Sequence, residues 1–113
     1  MKYVLLKVHP EVSHGDIVIY DASASMWVKS NSAEGLLGAI SGAVSEEDGE
    51  FKAYARFKGE VEVVAGQQIP AEGGALAVSD GKAFVNGSVS SLNRYILPSE
   101  TTVDSGSFCV IGL

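Results

Sequence analysis

The sequence predicts an all-β fold, a compact small barrel or a β-clip or β-tulip-like domain of short glycine-bounded strands. Three observations carry this. Thirteen glycines spread along 113 residues cut the chain into short runs rich in Val, Ile, Tyr and Phe, the punctuation of strands and turns. Residues 51–63 alternate with period two, Phe51, Ala53, Ala55, Phe57, Val61 and Val63 on one parity and Lys52, Tyr54, Arg56, Lys58, Glu60 and Glu62 on the other. That is the pattern of a strand with one buried and one wet face. Apolar residues at helical spacing are scarce.

Taken in order, residues 2–8 read as a first strand, ended by Pro10, which has no N–H for a ladder. Residues 16–20 read as a second, and Asp21-Ala22-Ser23-Ala24-Ser25 turns it toward Met26-Trp27-Val28. The segment Ser32–Ile40 has Ser32 as an N-cap, but two glycines within nine residues cost a helix roughly 1 kcal/mol each. It reads as loop or at most one helical turn, leading into a short strand near Leu37–Ala43. The acidic Ser45-Glu46-Glu47-Asp48-Gly49-Glu50 reads as a solvated connection. At Gly59 the alternating run is expected to bend or bulge, and if Gly59 folds the segment back, cations before it would meet carboxylates after it across strands.

Two stretches share a design. Gly15-Asp16-Ile17-Val18-Ile19-Tyr20-Asp21 followed by Trp27-Val28 has the form of Gly74-Ala75-Leu76-Ala77-Val78-Ser79-Asp80 followed by Phe84-Val85. In each, glycine opens a strand, apolar residues fill it, Asp opens a turn and an aromatic begins the return strand. A glycine-led strand also closes the chain, at Gly106–Ile111. Similar hairpins packed together predict a barrel or clip.

The length is that of one ordinary domain, 1–113, with a core of marginal size that a partner subunit would help. The composition is 46% hydrophobic and 19% charged, too apolar for disorder, which points to apolar surface reserved for other chains. A net charge of −6 lacks the footprint of a protein that tracks phosphate backbones, so no nucleic-acid partner is expected. Lys7 cuts the first apolar run short of a signal peptide, and nothing approaches the roughly 20 apolar residues of a membrane span. A lone Cys109 allows no intrachain disulfide or thiolate cluster.

Candidate chemistry is thin. His9 and His14, with Glu11 and Asp16 nearby, offer nitrogen and oxygen atoms, but a spacing of five suits one face of neither strand nor helix, so no metal is expected. Cys109 lies in an apolar run with no base beside it and reads as a small buried hydrophobe. The glycines of residues 35–42 lack the Lys-Ser/Thr ending of a phosphate loop. Glu46-Glu47-Asp48 reads as a solvated acidic loop before a calcium site. No acid–base pair shares an element, so neither enzyme activity nor a cofactor is expected. Trp27 is either core or an interface anchor, and the strip Lys52, Arg56 and Lys58 either a solvated strand face or a docking edge.

The run Val61-Glu62-Val63-Val64-Ala65-Gly66-Gln67-Gln68-Ile69-Pro70-Ala71-Glu72-Gly73-Gly74-Ala75-Leu76-Ala77-Val78 resembles the small head-decoration, or capsid cement, proteins of tailed bacteriophages, in which short strands alternate with Ala-Gly and Gly-Asp turns. Gly15-Asp16-Ile17-Val18 and Ser105–Gly112 are similar to their strand openings and endings, and the shared rhythm covers residues 12–113. The resemblance implies a non-enzymatic virion protein, made in the host cytoplasm and located on the capsid exterior, that binds the major capsid protein and stabilises the expanded head, often as a homotrimer. Such proteins carry a flexible polar N-terminal arm, where this chain has the strand-like Tyr3–Val8, which could instead pair with an exposed capsid strand edge. The expected interface residues are Trp27, Tyr3, Val4, Leu5, Leu6, Lys52 and Arg56. The alternatives are a phage tail or head-fibre module and a non-catalytic ligand- or protein-binding β-barrel.

Overall fold

The computed structural model describes residues 2–87 and 94–113. Among them the chain is all β. Strands β1 (Val4–Val8), β2 (Ile17–Asp21), β3 (Met26–Lys29), β4 (Gly38–Glu47) and β5 (Glu50–Arg56) form a closed barrel in the order β1-β3-β2-β4-β5. Strands β6 (Glu60–Val64), β7 (Gly74–Ser79), β8 (Lys82–Val85), β9 (Tyr95–Ile96) and β10 (Phe108–Gly112) form a second sheet in the order β6-β10-β9-β7-β8. A parallel bridge between Ala65 and Ala83 draws its two outer strands together, which limits the exposed edge. No described helix is long and apolar enough to cross a membrane.

The period-two run behaves as its spacing requires. Ala53, Ala55, Val61 and Val63 are buried, and Gly59 breaks the run with φ +89°, a conformation open to glycine because it lacks a Cβ. Gly59 does not fold the segment back on itself. β5 pairs with β1 and β4, whereas β6 pairs with β10 in the other sheet, so the cations before Gly59 and the carboxylates after it do not face each other across a ladder. The two halves answer to different cores.

The paired hairpin design holds, with β2–β3 and β7–β8 both antiparallel hairpins. The connection expected at residues 45–50 is a correction: β4 runs on to Glu47, and Asp48-Gly49 alone makes the turn, with φ of +54° and +81°. Asp80-Gly81 turns β7 into β8 in the same way, at +51° and +74°. Positive φ at both central residues marks the type I′ geometry that matches strand twist. The short strand expected near Leu37–Ala43 is thus the first part of a longer one, Gly38–Glu47.

Two apolar clusters sit behind these ladders. Leu6, Val8, Val12, Val18, Ile40, Ala53 and Ala55 fill the barrel, with Trp27 and Phe57 packed against them. Ile17, Leu37 and Ala39 of the barrel side instead join Val63, Ile96 and Ile111 of the second sheet. Backbone bonds stitch the same seam, from Ile17 N–H to Gly81 O (2.8 Å) and from Val64 N–H to Gly15 O (3.0 Å). Parity explains the split, because adjacent residues such as Ile17 and Val18 point to opposite faces of β2.

Candidate interaction surface

The β1–β5 ladder builds one outward face in rows. The register sets Leu5 opposite Tyr54 and Lys7 opposite Lys52, while Leu6 opposite Ala53 and Val8 opposite Phe51 point into the barrel. One step before Leu5, the Arg56 guanidinium lies over the Tyr3 ring, 5.8 Å from its centroid, within the range of a cation–π contact. Tyr3, Leu5 and Tyr54 stay about half exposed, at 49, 51 and 53%. Three large apolar or aromatic groups in adjacent rows form a contiguous patch, which is informative where a single exposed leucine is not.

Charge is segregated onto the same ladder. Residues 2–8 and 50–58 hold five cations, Lys2, Lys7, Lys52, Arg56 and Lys58, against one carboxylate, Glu50. The rest of the chain holds three cations against thirteen carboxylates. Lys7 and Lys52 stand directly opposite, a repulsive pairing, and Lys7 is partly relieved by Glu50 at 3.2 Å. This contact is exposed and contributes little. Val4, on the inward parity but still exposed, lines a concavity of about 450 Å³ with Lys2, Arg56, Phe57 and Lys58. Arg56 Nε is buried beside it, with no hydrogen-bond partner among the described residues.

Of the residues expected at an interface, Tyr3, Val4, Leu5, Lys52 and Arg56 therefore share this region. Leu6 does not: at 7% exposure it belongs to the barrel core, as its parity dictates. Trp27 is half-buried, packed edge-on against Tyr20 and Phe57 with centroids 5.6 and 5.2 Å away. It lies against the core and within an aromatic chain whose far member, Tyr20, is exposed. Tyr54 joins the face without having been expected there; its signal in the sequence is an aromatic on the wet parity of residues 51–63.

The remaining candidates are held in structural roles. His9 Nδ1 accepts from Glu11 N–H (3.1 Å), and His14 Nδ1 from Gly42 N–H (2.8 Å). Among the described residues no three His, Cys, Asp or Glu side chains converge as a metal site would need. Glu46, Glu47 and Asp48 are exposed at the β4–β5 hairpin end. Burial pushes the Cys109 thiol up to about 11, which suppresses the nucleophilic thiolate. A second concavity, about 580 Å³, lies between the Asn31–Gly35 loop and β7. Its cation, Arg94, is engaged by the carbonyls of Ala33 (2.7 Å) and Gly35 (2.6 Å). Comparison with known proteins finds no matching family model, no matching curated protein and no matching solved structure.

Proposed function

We propose that this chain is a structural protein of a tailed-phage virion that decorates the outer surface of the expanded head, binding the major capsid protein through its β1–β5 face and acting as a homo-oligomer, in the first instance a trimer. The observation that carries this reading is the half-exposed patch of Tyr3, Leu5 and Tyr54 on the β1–β5 ladder, together with the sequence rhythm shared with capsid cement proteins. Aromatic and apolar groups on a fixed scaffold are anchors for a macromolecular surface, since they lose little conformational freedom on docking.

The test is addition of the protein to undecorated expanded capsids. It should saturate a fixed set of sites and raise the temperature at which the shells break. A protein that binds the shell and not its dissociated subunits stabilises it by mass action, about 2.7 kcal/mol per site at 100-fold excess over Kd, and an oligomer adds avidity. Absence of both binding at micromolar concentration and heat resistance would replace this reading by a tail or head-fibre module. Light scattering at tens of micromolar, with and without capsids, reads the oligomeric state.

A further inference from the structure

Strand β1 is paired unequally on its two sides. All five of its residues meet β5, but β3 meets it only at Val8, opposite Trp27, where His9 N–H donates to Trp27 O (2.9 Å). Backbone groups alternate in direction along a strand. The side of β1 that His9 N–H faces is therefore also the side faced by the N–H groups of Leu5 and Lys7. Among the described residues no strand or loop backbone bonds to either. Among the described residues the barrel is joined at Val8, where the bridge to Trp27 also engages the Lys7 carbonyl, and its edge is open from Tyr3 to Leu5 and at the Lys7 N–H.

From this we infer that the open edge of β1 takes up an extended acidic segment of the partner protein as an added strand, an inference that rests on the decoration reading for the partner's identity alone. Backbone N–H and C=O groups standing free at a sheet edge are satisfied by another peptide backbone. An added strand would lay its outward side chains beside Tyr3, Leu5 and Lys7, along one side of the apolar patch. Charge selects the occupant. Lys2, Lys7, Lys52, Arg56 and Lys58 lie on this ladder or its flanks, within about one Debye length of the added strand, so carboxylates at alternate positions are attracted. A second copy of β1 would instead bring lysines against lysines.

The experiment uses the full chain and three probes: a ten-residue peptide alternating Glu with Val and Thr, the same peptide with Lys for Glu, and a single-stranded DNA of similar charge. Calorimetry reads affinity, and amide hydrogen exchange reads Leu5 and Lys7. The expected result is binding of the Glu peptide at least tenfold tighter than the Lys peptide or the DNA, with exchange slowed at both amides. Lys7→Glu combined with Lys52→Glu, changes on the outward side of the ladder that leave the core untouched, should reduce Glu-peptide affinity at least tenfold. Equal binding of both peptides, or binding that leaves the two amides unprotected, overturns the inference. Tighter DNA binding also overturns it and reassigns the face to a polyanion. Capsid binding without peptide binding sinks only the added strand; peptide binding without capsid binding sinks only the virion reading.

Discussion

Asp16, just before β2, and Lys82, at the start of β8, face each other across the seam between the barrel and the second sheet, with Asp16 Oδ1 3.8 Å from Lys82 Nζ. The carboxylate is buried and also accepts from Ser13 N–H (2.9 Å) and Ser13 Oγ–H (3.3 Å). Its hydrogen bonds to the loop are shorter than its contact with the lysine, which is one-third exposed. Replacing Asp16 by Ala strands the Ser13 N–H and should cost about 1–3 kcal/mol. Lys82→Met should cost less than about 1 kcal/mol. Urea unfolding of both single variants and the double variant gives the coupling, and equal costs would show that the ion pair, not the loop, holds the seam.

Two glycines of positive φ should respond differently to alanine. Gly49 (φ +81°) has nothing within reach of an added Cβ, whereas at Gly73 (φ +70°) that atom would stand 2.3 Å from Ile96 O. Gly49→Ala should cost only the left-handed strain, about 1–2 kcal/mol. Gly73→Ala must also displace backbone, and a loss above about 3 kcal/mol is expected. Thermal unfolding of the pair checks the order.

Trp27 and Tyr54 should separate stability from binding. Trp27→Ala removes a ring packed on Phe57 and the barrel core, and about 2–4 kcal/mol of stability should go with it. Tyr54→Ala, on the half-exposed outer row, should change stability by no more than about 0.5 kcal/mol while weakening capsid binding. If Tyr54→Ala leaves binding intact, the β1–β5 face is not the contact.

Cys109 makes a prediction in alkali. Its thiol stands near 9.0 when unfolded and is pushed up to about 11 by burial in the fold. Below pH 9 both states keep the proton and stability is unaffected. As the pH rises from 9 to about 11 the unfolded chain gives up its proton and the folded one does not, so stability falls. Cys109→Ala should lack this part of the decline. The difference between the two unfolding curves against pH is the measurement, and parallel curves would mean that the thiol is accessible in the fold.

The sequence by itself determined local geometry. Alternation in residues 51–63 fixed which side chains are buried because the side-chain period of a strand is two, and Asp-Gly pairs at 48–49 and 80–81 supplied the turns, although the acidic run around the first masks it as a longer connection. Chemistry absent from the chain, such as a second cysteine, was equally legible. Only the tertiary structure decided which strands became neighbours. Parity cannot say that Ala55 and Val61, on one side of the same run, enter separate clusters, since pairing partners lie far apart in sequence. Nor could composition reveal a cationic face on an acidic chain, because Lys7 and Lys52 meet only through the β1–β5 register. The open edge at Leu5 has the same origin: it exists because β3 reaches β1 no earlier than Val8, a matter of how a barrel closes rather than of any residue in β1.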